Sequence, residues 1–261
     1  MLGAIAGDII GSVYEHRNIK SKEFPLFSPY CRFTDDTVLT VALADAILSG
    51  RPFDQVMRDY YREHPMAGFG GSFHKWASNP EATAYNSWGN GSAMRTSPVG
   101  WAYNSLGEVA EKARVYASVT HNHHEGIRGA QAVACALFWA RTGESKSSIR
   151  LYMTETFGYD MSKSIDVIRP DYQFDVSCQG SVPQAITAFL ESTDFEDAIR
   201  NAISIGGDSD TIACIAGGLA EAFYGGVPED IADVITMYLP HEMQDLVEQF
   251  YLQHISSKTA C

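Results

Sequence analysis

Along most of the chain, apolar residues return every three or four positions, the spacing of a helix that buries one face. In residues 34 to 50, Val38, Leu39, Ala42, Leu43, Ala46 and Ile47 populate one broad face, and Gly50 supplies a C-terminal stop. Similar patterns predict helices over roughly 106–119, 125–141, 181–191, 194–204, 210–224, 228–238 and 241–254. Several open on a capping residue: Ser105 before LGEVAEKA, Ser181 before VPQAITAFL, and Thr193 and Asp194 before FEDAIRNA. Strand-like alternation is scarce, and SIDVIRPDYQFDVS (residues 164 to 177) is the best candidate for an extended segment or hairpin. The expected fold is all-α, a multi-helix single domain over residues 1–261.

Residues 64 to 100 break the helical habit, being rich in Gly, Ser, Asn, Pro and aromatics. The stretch is too long for an idle connector, and its aromatic and apolar content argues against a disordered linker. It reads as an ordered loop system over a binding site.

Two of the predicted helices open on paired carboxylates, RFTDDT at residues 32–37 and IGGDSDT at residues 205–211. Capping by Thr34, with Asp35 and Asp36 in the first turn, is one explanation, and Asp208, Ser209, Asp210 and Thr211 permit the same one. Metal binding is the other. Gly206 and Gly207 allow a sharp turn and a close approach, and both helices continue with small residues. Four carboxylates that converge would repel without cations between them. A set of aspartate and threonine oxygens suits Mg²⁺ or Mn²⁺ rather than zinc, and two clusters suggest two ions that orient hydroxyls and activate a water.

Other motifs are less specific. GAIAGDIIGSVYE places Asp8 four residues before Ser12 and ends at Glu15, after a run of small residues that could pack against the metal helices. Gly68, Gly70 and Gly71, with Asn90, Gly91 and Ser92, could offer bare amides to phosphate oxygens, although each alone reads as a plain turn. Their motifs fit neither a Rossmann nor a P-loop fingerprint. Of the histidines in THNHHEG, His123 and His124 read as a polar loop ahead of the next helix. Trp76, Tyr85 and Trp88 either stack on a base or close over the core. An EF-hand counted from Asp208 would need Glu at position 219, which is Leu. DSDTI resembles a haloacid-dehalogenase motif but runs into a helix rather than an α/β unit, and no G-x-S-x-G, H-E-x-x-H or C-x-x-C occurs.

Composition narrows the partners. The 261 residues are 45% hydrophobic and carry a formal net charge of -13, which disfavours nonspecific binding to nucleic acid or anionic membranes. A phosphate ligand would then need metal ions, helix N-termini or exposed amides. Five widely spaced cysteines, among them Cys135, Cys214 and Cys261, suggest a reduced intracellular protein. The apolar start MLGAIAGDIIG lacks a basic region and contains Asp8, unlike a signal peptide. No apolar run approaches the ~18 residues that span a bilayer. The expected location is cytoplasmic.

Taken together, GAIAGDIIGSVYE, FTDDT, GNGSAMR, THNHHEG and GGDSDT resemble the ADP-ribosylglycohydrolase family, which includes the dinitrogenase-reductase-activating glycohydrolases, over essentially the whole chain. The resemblance implies an all-helical fold with two divalent ions, Mg²⁺ or Mn²⁺, in a central cleft. It implies that Thr34, Asp35, Asp36, Asp208, Asp210 and Thr211 bind the metals, and that Asp35, Asp36 and Asp210 carry the chemistry with Glu15 gating or assisting. Gly70, Gly71, Ser72, Trp88, Asn90, Gly91, Ser92 and His121 would hold ADP-ribose. Ser209 stands where many members have Thr, at a position that is not an expected ligand. The implied activity is hydrolysis of the bond between ADP-ribose and an acceptor, with an ADP-ribosylated protein as the partner. The linkage stays open among Arg, Ser, nucleic-acid and O-acetyl conjugates, as does the oligomeric state. Alternatives are a metallohydrolase for another nucleotide-linked or phosphorylated molecule, or a non-catalytic ADP-ribose-binding member of the fold.

Overall fold

The computed structural model describes residues 1–256. In chain order the α-helices are α1 (Leu2–Gly11), α2 (Asp35–Ser49), α3 (Phe53–Glu63), α4 (Gly71–Ala77) and α5 (Gly91–Met94). Then come α6 (Ser97–Ala102), α7 (Leu106–Ser118), α8 (His124–Arg141), α9 (Lys146–Phe157) and α10 (Ile165–Ile168). The last five are α11 (Cys178–Leu190), α12 (Phe195–Ile205), α13 (Ser209–Tyr224), α14 (Glu229–Tyr238) and α15 (His241–Phe250), and the chain then loosens into a π-helical turn at Tyr251–Ile255. Among the described residues no strand forms, so the all-α expectation holds.

The core is built around α1 and α13. Both are buried almost throughout, which is why α1 is apolar on every side rather than on one stripe. They touch backbone to backbone: a Cβ at Gly7 would lie 2.0 Å from the Ala213 carbonyl oxygen. The helices α2, α8, α11, α12 and α14 pack around this pair, and α3, α7, α9 and α15 form the outer layer.

Most predicted helices form at nearly the expected ends. Ser105 caps α7 by accepting from Glu108 N, and Asp194 caps α12 by accepting from Asp197 N. Three expectations need correction. The helix placed at 181–191 starts at Cys178 and is capped by Ser177, while Ser181 donates back to the Ser177 carbonyl at 2.6 Å. Residues 164–177 are not a hairpin: one turn of α10 is followed by irregular chain with a single bridge, Gly89 to Ser177. That chain is pinned instead by Asp175, which accepts from Ser177 N at 2.7 Å, and by Val176 O, which accepts from Asn90 N at 2.8 Å. The loop system at 64–100 contains the short helices α4, α5 and α6. Cys31, Cys135, Cys178 and Cys214 are buried free thiols, and Cys261 lies outside the described residues.

Candidate metal and ligand cleft

Three segments far apart in sequence bring their acids to one place. The start of α2 contributes Thr34, Asp35 and Asp36, the start of α13 contributes Asp208, Asp210 and Thr211, and the middle of α1 contributes Asp8. Carboxylate oxygens of Asp8, Asp36 and Asp210 lie within 4.8 Å of one another, as do those of Glu15, Asp208 and Asp210. Asp210 belongs to both groups.

The hydrogen bonds differ between the two helix starts. Thr34 is the N-cap of α2, its oxygen accepting from Asp36 N at 3.4 Å. Asp208 holds the cap position of α13 but makes no capping bond, and accepts from Asn90 Nδ2 at 2.6 Å instead. Asp8 is fully buried and accepts from Thr34 N at 2.9 Å, Thr34 Oγ1 at 2.6 Å, Thr37 N at 3.1 Å and Thr37 Oγ1. It lies beneath the cleft and ties α1 to α2. By taking the Thr34 hydrogen, it leaves that hydroxyl only lone pairs, one of which accepts from Asp36 N while the other is open to a further partner. Thr211 Oγ1 donates to Asp36 Oδ2 at 3.3 Å, while buried Asp36 Oδ1 has no hydrogen-bond partner.

Burial is the main force raising the pKa of Asp8, Asp35, Asp36, Asp208 and Asp210. Mutual repulsion adds to it at Asp35, which reaches about 8, and at Asp36 and Asp210, both held well above the usual carboxylate range. Burial likewise raises Glu15. The hydroxyls of Thr34 and Thr211 and the amides of Thr34 and Asn90 are among the donors to Asp8, Asp36 and Asp208, and among the described residues no ammonium or guanidinium group pairs with these three. Such a cluster must take up protons or divalent cations to be stable. An orphaned carboxylate oxygen, a set of purely oxygen donors and two groups of three acids fit hard cations of the Mg²⁺ or Mn²⁺ type.

Above the acids opens a cavity of about 350 Å³, large enough for a ligand of nucleotide size. Its acidic floor and side carry Glu15, Thr34, Asp35, Asp36, Asp208, Asp210 and Thr211. The lining also includes Gly70, Gly71 and Ser72, then Asn90, Gly91 and His121. Added Cβ atoms at Gly70 and Gly71 would meet nothing within 4 Å, so their backbone is open to a ligand.

Two of the expected residues are not among those that line the cavity. Ser92 points away from the cavity, its hydroxyl donating to Gly126 O at 2.7 Å. Trp88 is half exposed and is not part of the lining, while Tyr85 is. Trp76 is buried under the Arg58 guanidinium. His123 caps α8 and His124 is exposed, so neither joins the site.

Sequence reasoning did not assign Asp8, Arg32, Arg95, Phe174 and Val176, although all but Asp8 line the cavity. Only Asp8 carried a signal, an acid inside an otherwise apolar helix, which must find a partner. Asn18 was also missed. Its side chain accepts from Gly207 N at 2.8 Å and donates to Gly207 O at 2.9 Å and Tyr14 O at 2.7 Å, joining the Glu15 turn to the loop that carries Asp208.

Comparison with known proteins adds a family. A family model described as ADP-ribosylglycohydrolase matches residues 1–259. The chain is 29% identical over 312 residues to the human protein named ADP-ribosylhydrolase ARH3, covering 88% of this chain and 86% of that protein. It is 27% identical over 292 residues to ADP-ribosylarginine hydrolase Tri1 of Pseudomonas putida (strain GB-1), covering 96% and 76% respectively. A solved structure titled ADP-ribosylglycohydrolase-related protein complex superposes with a TM-score of 0.71 at 24% identity, over 97% of this chain and 96% of that one, which speaks for the fold alone.

Proposed function

From the premise that the chain belongs to the ADP-ribosylglycohydrolase family and is an enzyme of that family, we propose that it hydrolyses the glycosidic bond between ADP-ribose and an acceptor. The acceptor is a protein side chain such as Arg or Ser, or the acceptor part of a related ADP-ribose conjugate. The observation that carries this reading is the pair of carboxylate groups sharing Asp210, with an unpartnered Asp36 oxygen, under a cavity of nucleotide size.

In this reading two divalent ions, Mg²⁺ or Mn²⁺, are held by Thr34, Asp35, Asp36, Asp208, Asp210 and Thr211. When bound, they supply charge that polarises ribose hydroxyls and a water. The chain's own groups do the rest. Asp35 and Glu15, the less buried of the acids, accept hydrogen bonds from the water and from ribose hydroxyls, and so orient them at the anomeric carbon. The bond from that carbon to the acceptor breaks, a bond to the water oxygen forms, and the acceptor leaves with a proton. The carbon gains positive character on the way, and the carboxylates of Asp35, Asp36 and Asp210 stabilise it electrostatically. The open backbone at Gly70 and Gly71, with Gly91 beside His121, receives the diphosphate of an anionic ligand on an acidic protein. Residues 1–261 work as one domain, and the free thiols of the described residues suit a reducing, cytoplasmic setting.

The test is ADP-ribose release from arginine- and serine-ADP-ribosylated peptides with Mg²⁺, Mn²⁺ or EDTA, using Asp210→Asn as control. Release from one linkage, lost with EDTA and in the variant, is the expected result. Full activity in Asp210→Asn would refute the site assignment, and no release from any conjugate would refute the activity.

A further inference from the structure

The cavity lining includes a guanidinium that the hydrolysis proposed above does not use. Arg95 follows α5, is 1% exposed and lies over the Phe53 ring. Its Nη2 donates to Thr120 Oγ1 at 2.8 Å, its Nη1 has no partner, and the residue forms part of the cavity lining. Thr120 Oγ1 is in turn 2.7 Å from His121 Nδ1, and the Tyr85 hydroxyl also reaches it. His121 is 4% exposed, and its other nitrogen, Nε2, faces the glycine loop: a Cβ at Gly91 would lie 3.3 Å from it and one at Gly89 3.8 Å.

The hydroxyl of Thr120 has one hydrogen and two lone pairs. One lone pair takes the Arg95 N–H, so the hydrogen goes either to His121 Nδ1 or to the Tyr85 oxygen. The buried cation decides between them. It polarises the hydroxyl into a better donor, and it favours turning the bare-nitrogen side of the imidazole towards itself and the N–H side away. Burial and the Arg95 charge also hold the His121 pKa well below its ordinary value, so the ring takes no second proton. The charged and titratable neighbours are Arg95 from the end of α5 and Tyr85, whose ring centroid is 5.9 Å from that of His121. Asp35 acts on both of them from the acidic side.

We propose that Arg95 and Thr120 are positioning residues that fix His121 as a neutral imidazole, with Nδ1 accepting from Thr120 and Nε2–H turned into the cleft as a donor to an anionic ligand oxygen. His121 then serves as a hydrogen-bond donor and not as an acid or base. Only the identity of the anion, a diphosphate oxygen of ADP-ribose, rests on the function proposed above.

The experiment is a nitrogen–proton correlation spectrum of the imidazole rings in the ligand-free full chain over about pH 5 to 8, with His121 assigned by its loss in His121→Asn. Expected is a proton on Nε2, a bare Nδ1 and no titration in that range. Free ADP-ribose should move the Nε2 resonance. Thr120→Val should mix the tautomers and weaken ADP-ribose binding by about tenfold, the worth of one hydrogen bond, whereas Thr120→Ser should keep both properties. A proton on Nδ1, a ring that titrates with an ordinary midpoint, or an Nε2 resonance untouched by bound ADP-ribose would overturn the proposal. The wild-type spectrum decides even if Thr120→Val fails to fold. Because the tautomer is read without ligand, a chain with the expected spectrum that binds no ADP-ribose would uphold the relay and sink the proposed function instead.

Discussion

Two adjacent glycines in the middle of α13 carry opposite expectations. A Cβ at Gly217 would stand 2.1 Å from the Gly3 carbonyl oxygen and 3.0 Å from its carbon, both backbone atoms of α1. That is more than about 1 Å inside an ordinary contact, and neither helix backbone can yield locally. At Gly218 the nearest atoms are Ala4 Cβ and Ser97 Oγ, both at 3.5 Å, which is normal packing. Alanine is intrinsically better than glycine in a helix by about 1 kcal/mol. Gly218→Ala should therefore gain up to about 1 kcal/mol, raising Tm by about 2–4 °C for a chain of this size. Gly217→Ala should lose about 3 kcal/mol to overpacking against that same gain, a net loss of about 2 kcal/mol or about 4–8 °C. Scanning calorimetry of both variants reads this directly. The cost has a functional side, because pushing α1 off α13 carries Asp8 away from Asp36 and Asp210. Mn²⁺ affinity by titration calorimetry should fall in Gly217→Ala and hold in Gly218→Ala. Two variants that shift Tm in the same direction, or a Gly217→Ala protein as stable as the parent, would refute the close-packing argument.

Asp8→Asn keeps the shape of the side chain but presents an amide N–H₂ to donors from Thr34 and Thr37. We expect a loss of about 3 kcal/mol in urea unfolding, together with weaker Mn²⁺ binding, although Asp8 does not line the cleft; parental stability would show that its four donors are not a structural tie. Asn18→Ala breaks the link between the Glu15 turn and Gly207, so ADP-ribose release should slow, and the loss should shrink when Glu15→Gln is already present; strictly multiplicative effects would deny the coupling. The acid cluster also sets a pH signature. Its pKa values are raised in the folded state, with Asp35 at about 8 against an ordinary 3.8, so the folded chain holds more protons than the unfolded one. Metal-free stability from this cluster is then greatest below about pH 4 and declines as pH rises through about 8. Cations replace those protons, so the Tm gain on adding Mg²⁺ should be larger at about pH 8 than at about pH 5; a gain that is flat or larger in acid would contradict it.

How much of this could be read from the chain follows from where each partner lies. The helices with a broad apolar face and a local cap were legible, α2, α7 and α12 among them, because period and cap sit within a few residues of each other. Those passed over each blur the period. The helix α3 buries Arg58 on its inner face, where the guanidinium donates to the carbonyls of Trp76, Ala77, Asn79 and Ala82. In α9 the buried stripe is only Ile149, Met153 and Phe157, with Leu151 exposed, and α1 has no polar face to set a period. The paired aspartates were visible for the same local reason, but capping and ligation draw on the same residue types, so their roles could not be divided from sequence. Thr34 caps and Asp208 does not, a difference made by Asn90, more than a hundred residues away. The donors to Asp8 stand at 34 and 37, and Asn18 answers to 207. A buried polar group announces that it needs a partner but says nothing of where in the chain that partner lies. The acids at the two helix starts were therefore legible as a candidate cluster, while Asp8 and the residues that hold the cluster in register were not.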